Sequence, residues 1–341
     1  MKNRLVMTGT LGTMKPAQIK AFENLFKERF PQGEFEFLND MPVSDEELIE
    51  KINGADVMIT IYQKITEKVY AAVAPPLRAC ISYGIGYDSC NVAAANKYNV
   101  AVANQPDWCQ QEVAVHTVML LLATQRGLLP TIRALDEGRW TDRFGIIAPV
   151  DRFSRETVGL FGFGNIAREV ARMLRGFGVR IIAHDPYADK AVFEEYGVTP
   201  VDFDTMVAES DYLSLHAPFL PSTAKCINAS VFGKMKPTAS LINTSRGGLI
   251  DPDDLYEALV AGTIRSAALD VFIAEPPTGI EEKLCKLPNV LSTPHIAYYS
   301  ETAYEELMSH TIDEAIRILR GERPKNLRNP EIEGALSWIN K

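Results

Sequence analysis

Three short segments in the second half of the chain carry side chains whose combination could do chemistry. SLINTSRGGLID places Arg246 just after an apolar run. SAALDVFIAEPP ends its run at Asp270 and carries Glu275 beyond it. NVLSTPHIAYYSE sets His295 just past a third run. An arginine fork holds a carboxylate through two parallel hydrogen bonds, which a lysine does not match. A histidine exchanges a proton near neutral pH. A carboxylate beside it orients the imidazole and favours its protonated form. The set suits a carboxylate-bearing ligand that must gain or lose a proton. Taken singly, each residue has a plain reading as a strand-end histidine, an ion-pairing arginine or a loop acid. The three motifs together argue against that reading.

A fourth segment supplies the rest of a reaction. Thr157 to Asp185 reads TVGLFGFGNIAREVARMLRGFGVRIIAHD. It spells a strand, the turn Gly162-Phe163-Gly164-Asn165-Ile166-Ala167, a helix and a second strand. The first glycine permits the tight turn, the second lets backbone approach a pyrophosphate, and the small third residue, here Ala167, lets helix pack on strand. The helix N-terminus then offers N–H groups and a positive dipole end to the phosphates. Asp185 stands 21 residues past Gly164, where an acid accepts the hydroxyls of an adenine ribose. Pro186 and Tyr187 follow it instead of an arginine, so NAD is expected over NADP. Hydride delivery to a ketone leaves an alkoxide that needs a proton, and His295 can donate it.

These residues must be held by alternating strands and helices. Candidate strands are Leu5–Thr8, Phe35–Leu38, Val57–Ile61, Ala79–Tyr83 and Val100–Ala103. A second series is Val158–Phe161, Val179–His184, Tyr212–Leu215, Ser240–Asn243, Ala267–Asp270 and Val290–Ser292. Helical patterns separate most of them, which implies βαβ units, parallel sheets and an α/β fold with two doubly wound sheets. Ligands of such folds bind outside the carboxyl ends of the strands, where Arg246, Asp270 and His295 all fall. Between the two series, Cys109–Arg126 is apolar nearly all round and reads as a buried helix, with Gly127 at its end. Leu128–Arg155 reads as an irregular linker, arm or oligomer contact, and Glu301–Arg320 as an amphipathic helix.

In the order YGIGYD, GFGNIA, HAPFLPSTAKCINASVFGKMKPTASLINTSRGGLID, ALDVFIAEPP and STPHIAYYSE, nearly the whole chain resembles the NAD-dependent D-2-hydroxyacid dehydrogenase family. The resemblance implies a flavodoxin-like substrate domain, residues 1–105 with 296–341, and a Rossmann NAD-binding domain, residues 106–295, with nicotinamide and substrate in the cleft. It implies an Arg–Glu–His catalytic group at Arg246, Glu275 and His295, and places the backbone of Ile85 and Gly86 on the substrate carboxylate. Thr117, Asn165, Ile166 and Thr223 fall on the cofactor's phosphate side. His216 and Pro218 fall near its adenosine, and Thr244, Asp270 and His295 near its nicotinamide. Trp108, Tyr298 and Tyr299 either line the substrate pocket or pack.

Phosphoglycerate dehydrogenases of this family use arginines in an early loop, where ITIYQKIT here has Thr60 and Tyr62. An unphosphorylated 2-keto or 2-hydroxy acid is therefore expected, with 3-phosphoglycerate as an alternative. NQPDWCQQEVAVHT resembles the C-terminal-binding-protein branch, which leaves an NAD(H)-sensing regulatory protein as another alternative. A phosphite- or formate-type oxidation ranks last, since formate use would be expected to come with glutamine in place of Glu275.

The 341 residues suggest about two domains. Lys plus Arg number 35 and Asp plus Glu 44, so the net charge is −9, and nucleic acid and anionic membranes are poor default partners. Five scattered cysteines with no CxxC pair fit reduced thiols in a cytoplasm. No HExxH-like cluster points to a metal. No signal-peptide apolar stretch opens the chain. The family's usual dimerisation through the NAD domain makes a homodimer the expectation.

Overall fold

The computed structural model describes residues 3–9, 14–38, 44–140 and 149–340. The chain divides into two compact units, Met1–Trp108 with Glu301–Lys341 and Cys109–Ser300.

The first unit holds β1 (Arg4–Thr8), β2 (Glu34–Leu38), β3 (Val57–Thr60), β4 (Ala79–Ser82) and β5 (Ala101–Ala103), in the order β2-β1-β3-β4-β5. All pairs are parallel. The period of two along each strand divides the apolar residues between two layers. Leu5, Met7, Val57, Ile59, Ala79 and Ile81 join one core. Val6, Met58, Cys80 and Val102 join the other. The helix Glu301–Leu319 returns to this unit and packs Ile312, Ala315, Ile316 and Leu319 into the first of these cores. The tail after it covers the edge of β5: Asn329 Oδ1 accepts Val102 N–H at 2.8 Å, and Leu327 bridges Ala103.

The second unit holds β6 (Thr157–Phe161), β7 (Arg180–His184), β8 (Thr199–Pro200), β9 (Tyr212–Leu215), β10 (Ser240–Asn243), β11 (Ser266–Leu269) and β12 (Val290–Ser292). Their order is β12-β11-β10-β9-β6-β7-β8, again parallel throughout. The order reverses at β6, which lies between β7 and β9. That is the doubly wound order of a dinucleotide-binding sheet with one added strand. The layers again alternate, Leu213, Leu215, Leu241 and Leu269 on one side and Tyr212, Ile242 and Ala268 on the other.

Three expectations change. The two-residue strand β8 is a Thr-Pro pair, exposed at both positions, and does not stand out in sequence. The helix expected at Cys109–Arg126 spans Gln110–Gln125 and is buried on one face only. Val113, Ala114, Leu120 and Leu121 are inside, whereas Val115 is 51% and Met119 47% exposed. Composition alone could not separate the two faces, because both are apolar. Leu128–Arg155 is not irregular throughout: Leu128–Asp136 is a helix, entered through Gly127 at φ +57°, and Phe153–Arg155 is a single 3₁₀ turn. Residues 141–148 of that stretch lie outside the described residues.

Among the described residues no single helix is long and apolar enough to cross a membrane. The pair Gln110–Gln125 and Leu128–Asp136 passes that test together, bent by 61°.

Candidate active site

The site in the second unit is built from the loops that follow β10, β11 and β12. Arg246 lies three residues past β10. Asn243 Nδ2 donates to its carbonyl at 2.9 Å, and its own Nη1 donates to Ser245 O at 2.7 Å. Gly247 follows it because nothing larger fits. A Cβ there would stand 2.1 Å from Phe272 C and 2.5 Å from Ile273 N, so the Arg246 loop lies directly on the loop that carries Glu275.

That second loop is folded onto acids. Glu281 is buried and accepts Ile273 N–H at 2.8 Å and Ala274 N–H at 3.0 Å. Glu275 Oε1 accepts Phe272 N–H at 3.1 Å. Its other oxygen, Oε2, lies 2.6 Å from His295 Nδ1. Burial works to raise the Glu275 carboxyl. The hydrogen bond and charge of His295, the Phe272 N–H and the Arg246 charge outweigh it and hold the carboxyl below its ordinary value. The structure thus brings Arg246, Glu275 and His295 into one electrostatic group. The Tyr298 ring stands edge-on to His295 at 6.2 Å between centroids.

His295 itself sits at φ +50°, a left-handed conformation uncommon for a residue with a side chain. Asp270 holds it there. This carboxylate is fully buried and accepts Thr293 Oγ1 at 2.5 Å, Ile296 N–H at 3.0 Å and Ala297 N–H at 3.0 Å. Its main-chain oxygen accepts His295 N–H at 2.8 Å. Asp270 therefore shapes the loop, with both carboxylate oxygens occupied.

The glycine turn meets the switch point. Gly162 has φ +92°, and a Cβ on it would lie 2.9 Å from the backbone of His216 and Ala217, past β9. Only glycine permits both the conformation and the approach. A Cβ on Gly164 meets nothing within 4 Å, and Gly164 caps the helix Asn165–Leu174 without a side-chain hydrogen bond. The helix start is thus open to an anion. Ala167 is fully buried under it. Asp185 is fixed by backbone, its Oδ2 accepting Phe163 N–H at 2.8 Å and its Oδ1 accepting Tyr187 N–H at 2.9 Å. These features fit a dinucleotide: room at Gly164, donors at the helix start and a fixed acid beyond the second strand.

Other expected contacts are placed less directly. The Thr117 hydroxyl is buried, donates to Val113 O at 2.7 Å and lies 2.7 Å from Thr244 Oγ1. Thr223 Oγ1 donates to Pro218 O and accepts Leu220 N–H, both within its own turn. His216 Nε2 lies 2.9 Å from Ser214 Oγ, and burial pushes its pKa down to about 4, so it is neutral at physiological pH. Burial, with Glu112 nearby, pushes the Cys109 thiol up to about 12 despite the Arg246 charge, which leaves it a poor nucleophile. Among the described residues no group of three or more His, Cys, Asp or Glu is arranged to hold a metal ion.

In the first unit, Asn104 Nδ2 donates to Ile85 O and Ser82 Oγ to Gly86 O, both at 2.5 Å, so the peptides of this turn are held in place. Tyr62 has φ +60° just past β3. Trp108 is the last residue of the unit's first segment.

Residues 118–297 match the family described as D-isomer specific 2-hydroxyacid dehydrogenase, NAD binding domain. The chain belongs to this family. It is 37% identical over 290 residues to a D-3-phosphoglycerate dehydrogenase of Methanocaldococcus jannaschii, covering 84% of this chain and 54% of that one. It therefore spans about half the length of that relative. It is 33% identical over 296 residues to a glyoxylate reductase of Korarchaeum cryptofilum, covering 86% of this chain and 89% of that one. The NAD-complexed D-isomer specific 2-hydroxyacid dehydrogenase of Lactobacillus delbrueckii ssp. bulgaricus superposes with a TM-score of 0.74 at 26% identity, over 96% of this chain and all of that one. The glycine turn of the second unit lies within the matched residues.

Three contributors escaped the sequence reading. They are Glu281, Thr293 and His116. The one local hint was that Thr293 directly precedes Pro294 and His295.

Proposed function

We propose that the protein interconverts a small, unphosphorylated 2-keto acid and its D-2-hydroxy acid with NAD(H). The carrying observation is the 2.6 Å contact of His295 Nδ1 with a Glu275 carboxylate on which the Arg246 charge also acts. When bound, NADH supplies the hydride. The chain's own residues do the remaining work. Arg246 takes the substrate carboxylate as a fork, assisted by the backbone N–H groups of Ile85 and Gly86. Glu275 holds Nδ1, which assigns proton exchange with the substrate oxygen to His295 Nε2. In reduction that proton completes the hydroxyl, and in oxidation the same nitrogen takes it back. In this reading Met1–Trp108 with Glu301–Lys341 binds substrate, and Cys109–Ser300 binds NAD. Tyr62, Trp108 and Tyr298 contact the substrate's side chain.

The early loop supports an unphosphorylated acid. Thr60 is buried, and its hydroxyl donates to Gln63 O at 2.7 Å. A threonine and a tyrosine offer no cation to a phosphate. The test follows NADH and NADPH absorbance over glyoxylate, hydroxypyruvate, pyruvate, phenylpyruvate, branched keto acids and phosphohydroxypyruvate. Fast NADH-linked turnover of one unphosphorylated acid is expected, with NADPH much poorer because its 2′-phosphate would meet Asp185. Preference for phosphohydroxypyruvate would sink the unphosphorylated assignment. Tight NADH binding with feeble turnover of every acid would favour an NAD(H)-sensing role.

We further propose a cytoplasmic homodimer. Cys80 and Cys90 lie 3.6 Å apart as free thiols, which suits a reducing compartment. Val115, Met119, Leu128, Ile132, Leu135 and Trp140 expose apolar surface along two successive helices and their end. Such clustering marks a contact surface. Light scattering that returns the mass of one chain would overturn the dimer.

A further inference from the structure

We propose that His116 is a positioning residue for the proton-transfer histidine, acting through Thr293 and Asp270. The inference rests on the dehydrogenase reading above. His116 projects from the helix Gln110–Gln125, and its Nε2 lies 3.0 Å from Thr293 Oγ1 and 3.5 Å from Asp270 Oδ1. The Thr293 hydroxyl donates its single proton to Asp270 Oδ1 at 2.5 Å. Its oxygen must then accept from His116, so Nε2 carries a hydrogen. A directed chain results: His116 to Thr293 to Asp270. Asp270 in turn takes the N–H groups of Ile296 and Ala297 on its carboxylate and that of His295 on its carbonyl.

The chain ends on the main chain at and just after His295. That is where order matters, because His295 is held at φ +50°. A buried carboxylate that loses a donor must find another or rearrange. Rearrangement here would turn the His295 ring away from Glu275. The same helix grips this loop a second time. Glu112, one turn before His116 and on the same face, accepts Ser300 Oγ at 2.8 Å. Two side chains spaced i, i+4 thus hold the segment that carries His295, one at Thr293 and one at Ser300. A histidine that merely filled space would need neither a donor at Nε2 nor a partner at Thr293.

The experiment uses the full chain. It compares His116→Leu, His116→Gln, Thr293→Val and the Leu/Val double variant. The readouts are kcat and KM for the preferred keto acid, NADH affinity by fluorescence, and amide exchange at Ile296 and Ala297. His116→Leu and Thr293→Val are each expected to lower kcat about 10- to 100-fold, the range for a misplaced catalytic group. NADH affinity should stay unchanged and the two amides should exchange faster. His116→Gln keeps an N–H donor near the same place and should recover most of kcat. The double variant should be no worse than the poorer single one, since both cut one chain. Wild-type kcat in His116→Leu, a Gln variant as impaired as Leu, or additive effects would each overturn the proposal. If His116→Leu does not fold, Thr293→Val carries the same readouts. If the native protein reduces no keto acid, the dehydrogenase reading fails by itself, and unchanged exchange at the two amides would then overturn the positioning role.

Discussion

His295→Ala is expected to lower kcat for keto acid reduction by about 10²- to 10⁴-fold, the usual worth of a positioned general acid. NADH affinity should survive, because the glycine turn and Asp185 are built from other loops. The argument is geometric. His295 is fixed twice, through Nδ1 by Glu275 at 2.6 Å and through its main-chain N–H by Asp270 at 2.8 Å. A ring held that firmly directs one nitrogen at one place. Steady-state kinetics with a fluorescence titration of NADH separates the two effects. Unchanged turnover would remove the proposed mechanism. Glu275→Gln adds a pH signature. The Glu275 carboxyl is held below its ordinary 4.5, so the folded state binds that proton less readily than the unfolded chain. Its contribution to stability is present above about 4.5 and is lost as the pH falls through the lower, folded value. Melting temperatures across the acid range should show that loss in the native protein and not in Glu275→Gln.

Gly247→Ala should be nearly as damaging for a different reason. The added methyl would stand 2.1 Å from Phe272 C and 2.5 Å from both Phe272 O and Ile273 N. All three are backbone atoms, which cannot swing aside as a side chain can. One of two loops must move, and those loops carry Arg246 and Glu275. Overpacking of this kind costs about 1–3 kcal/mol or more of stability. Separation of the two charged groups should cost about 10²-fold in turnover in addition. Gly164→Ala is the contrast, since its Cβ would meet no protein atom within 4 Å. That variant should melt like the native protein and bind NADH less well, because the crowded space is the pyrophosphate's. Thermal melts and NADH titrations of the pair test this. Native-like kinetics in Gly247→Ala would show that the loops are not coupled through that contact.

The βαβ alternation was legible because each strand is a short apolar run between helical patterns. A parallel strand buried on both faces has no polar alternation to confuse the reading. Most strand positions therefore stand within a residue or two of where the sequence puts them. The same property hid the exposed face of Gln110–Gln125, whose Val115 and Met119 look like core residues in sequence. The helix Leu128–Asp136 reads in sequence as part of an irregular stretch.

The catalytic candidates divide in the same way. Arg246, Glu275 and His295 could be singled out because their side-chain chemistry is rare and complementary, and because each follows a strand at the edge where ligands bind. The glycine turn could be read because φ +92° at Gly162 and the backbone of His216 and Ala217 at 2.9 Å exclude a side chain there, and such exclusion leaves glycine in the sequence. The supports could not be read. Glu281, Thr293 and His116 are common residue types, and what distinguishes them is the backbone amide, carboxylate or hydroxyl each one meets. Those partners come from elements as far apart as 177 residues in the chain, as His116 and Thr293 are. A local sequence determines which groups can do chemistry and which turns must be glycine. Which carboxylate is buried, and which loop it holds, is decided only when distant strands are set side by side.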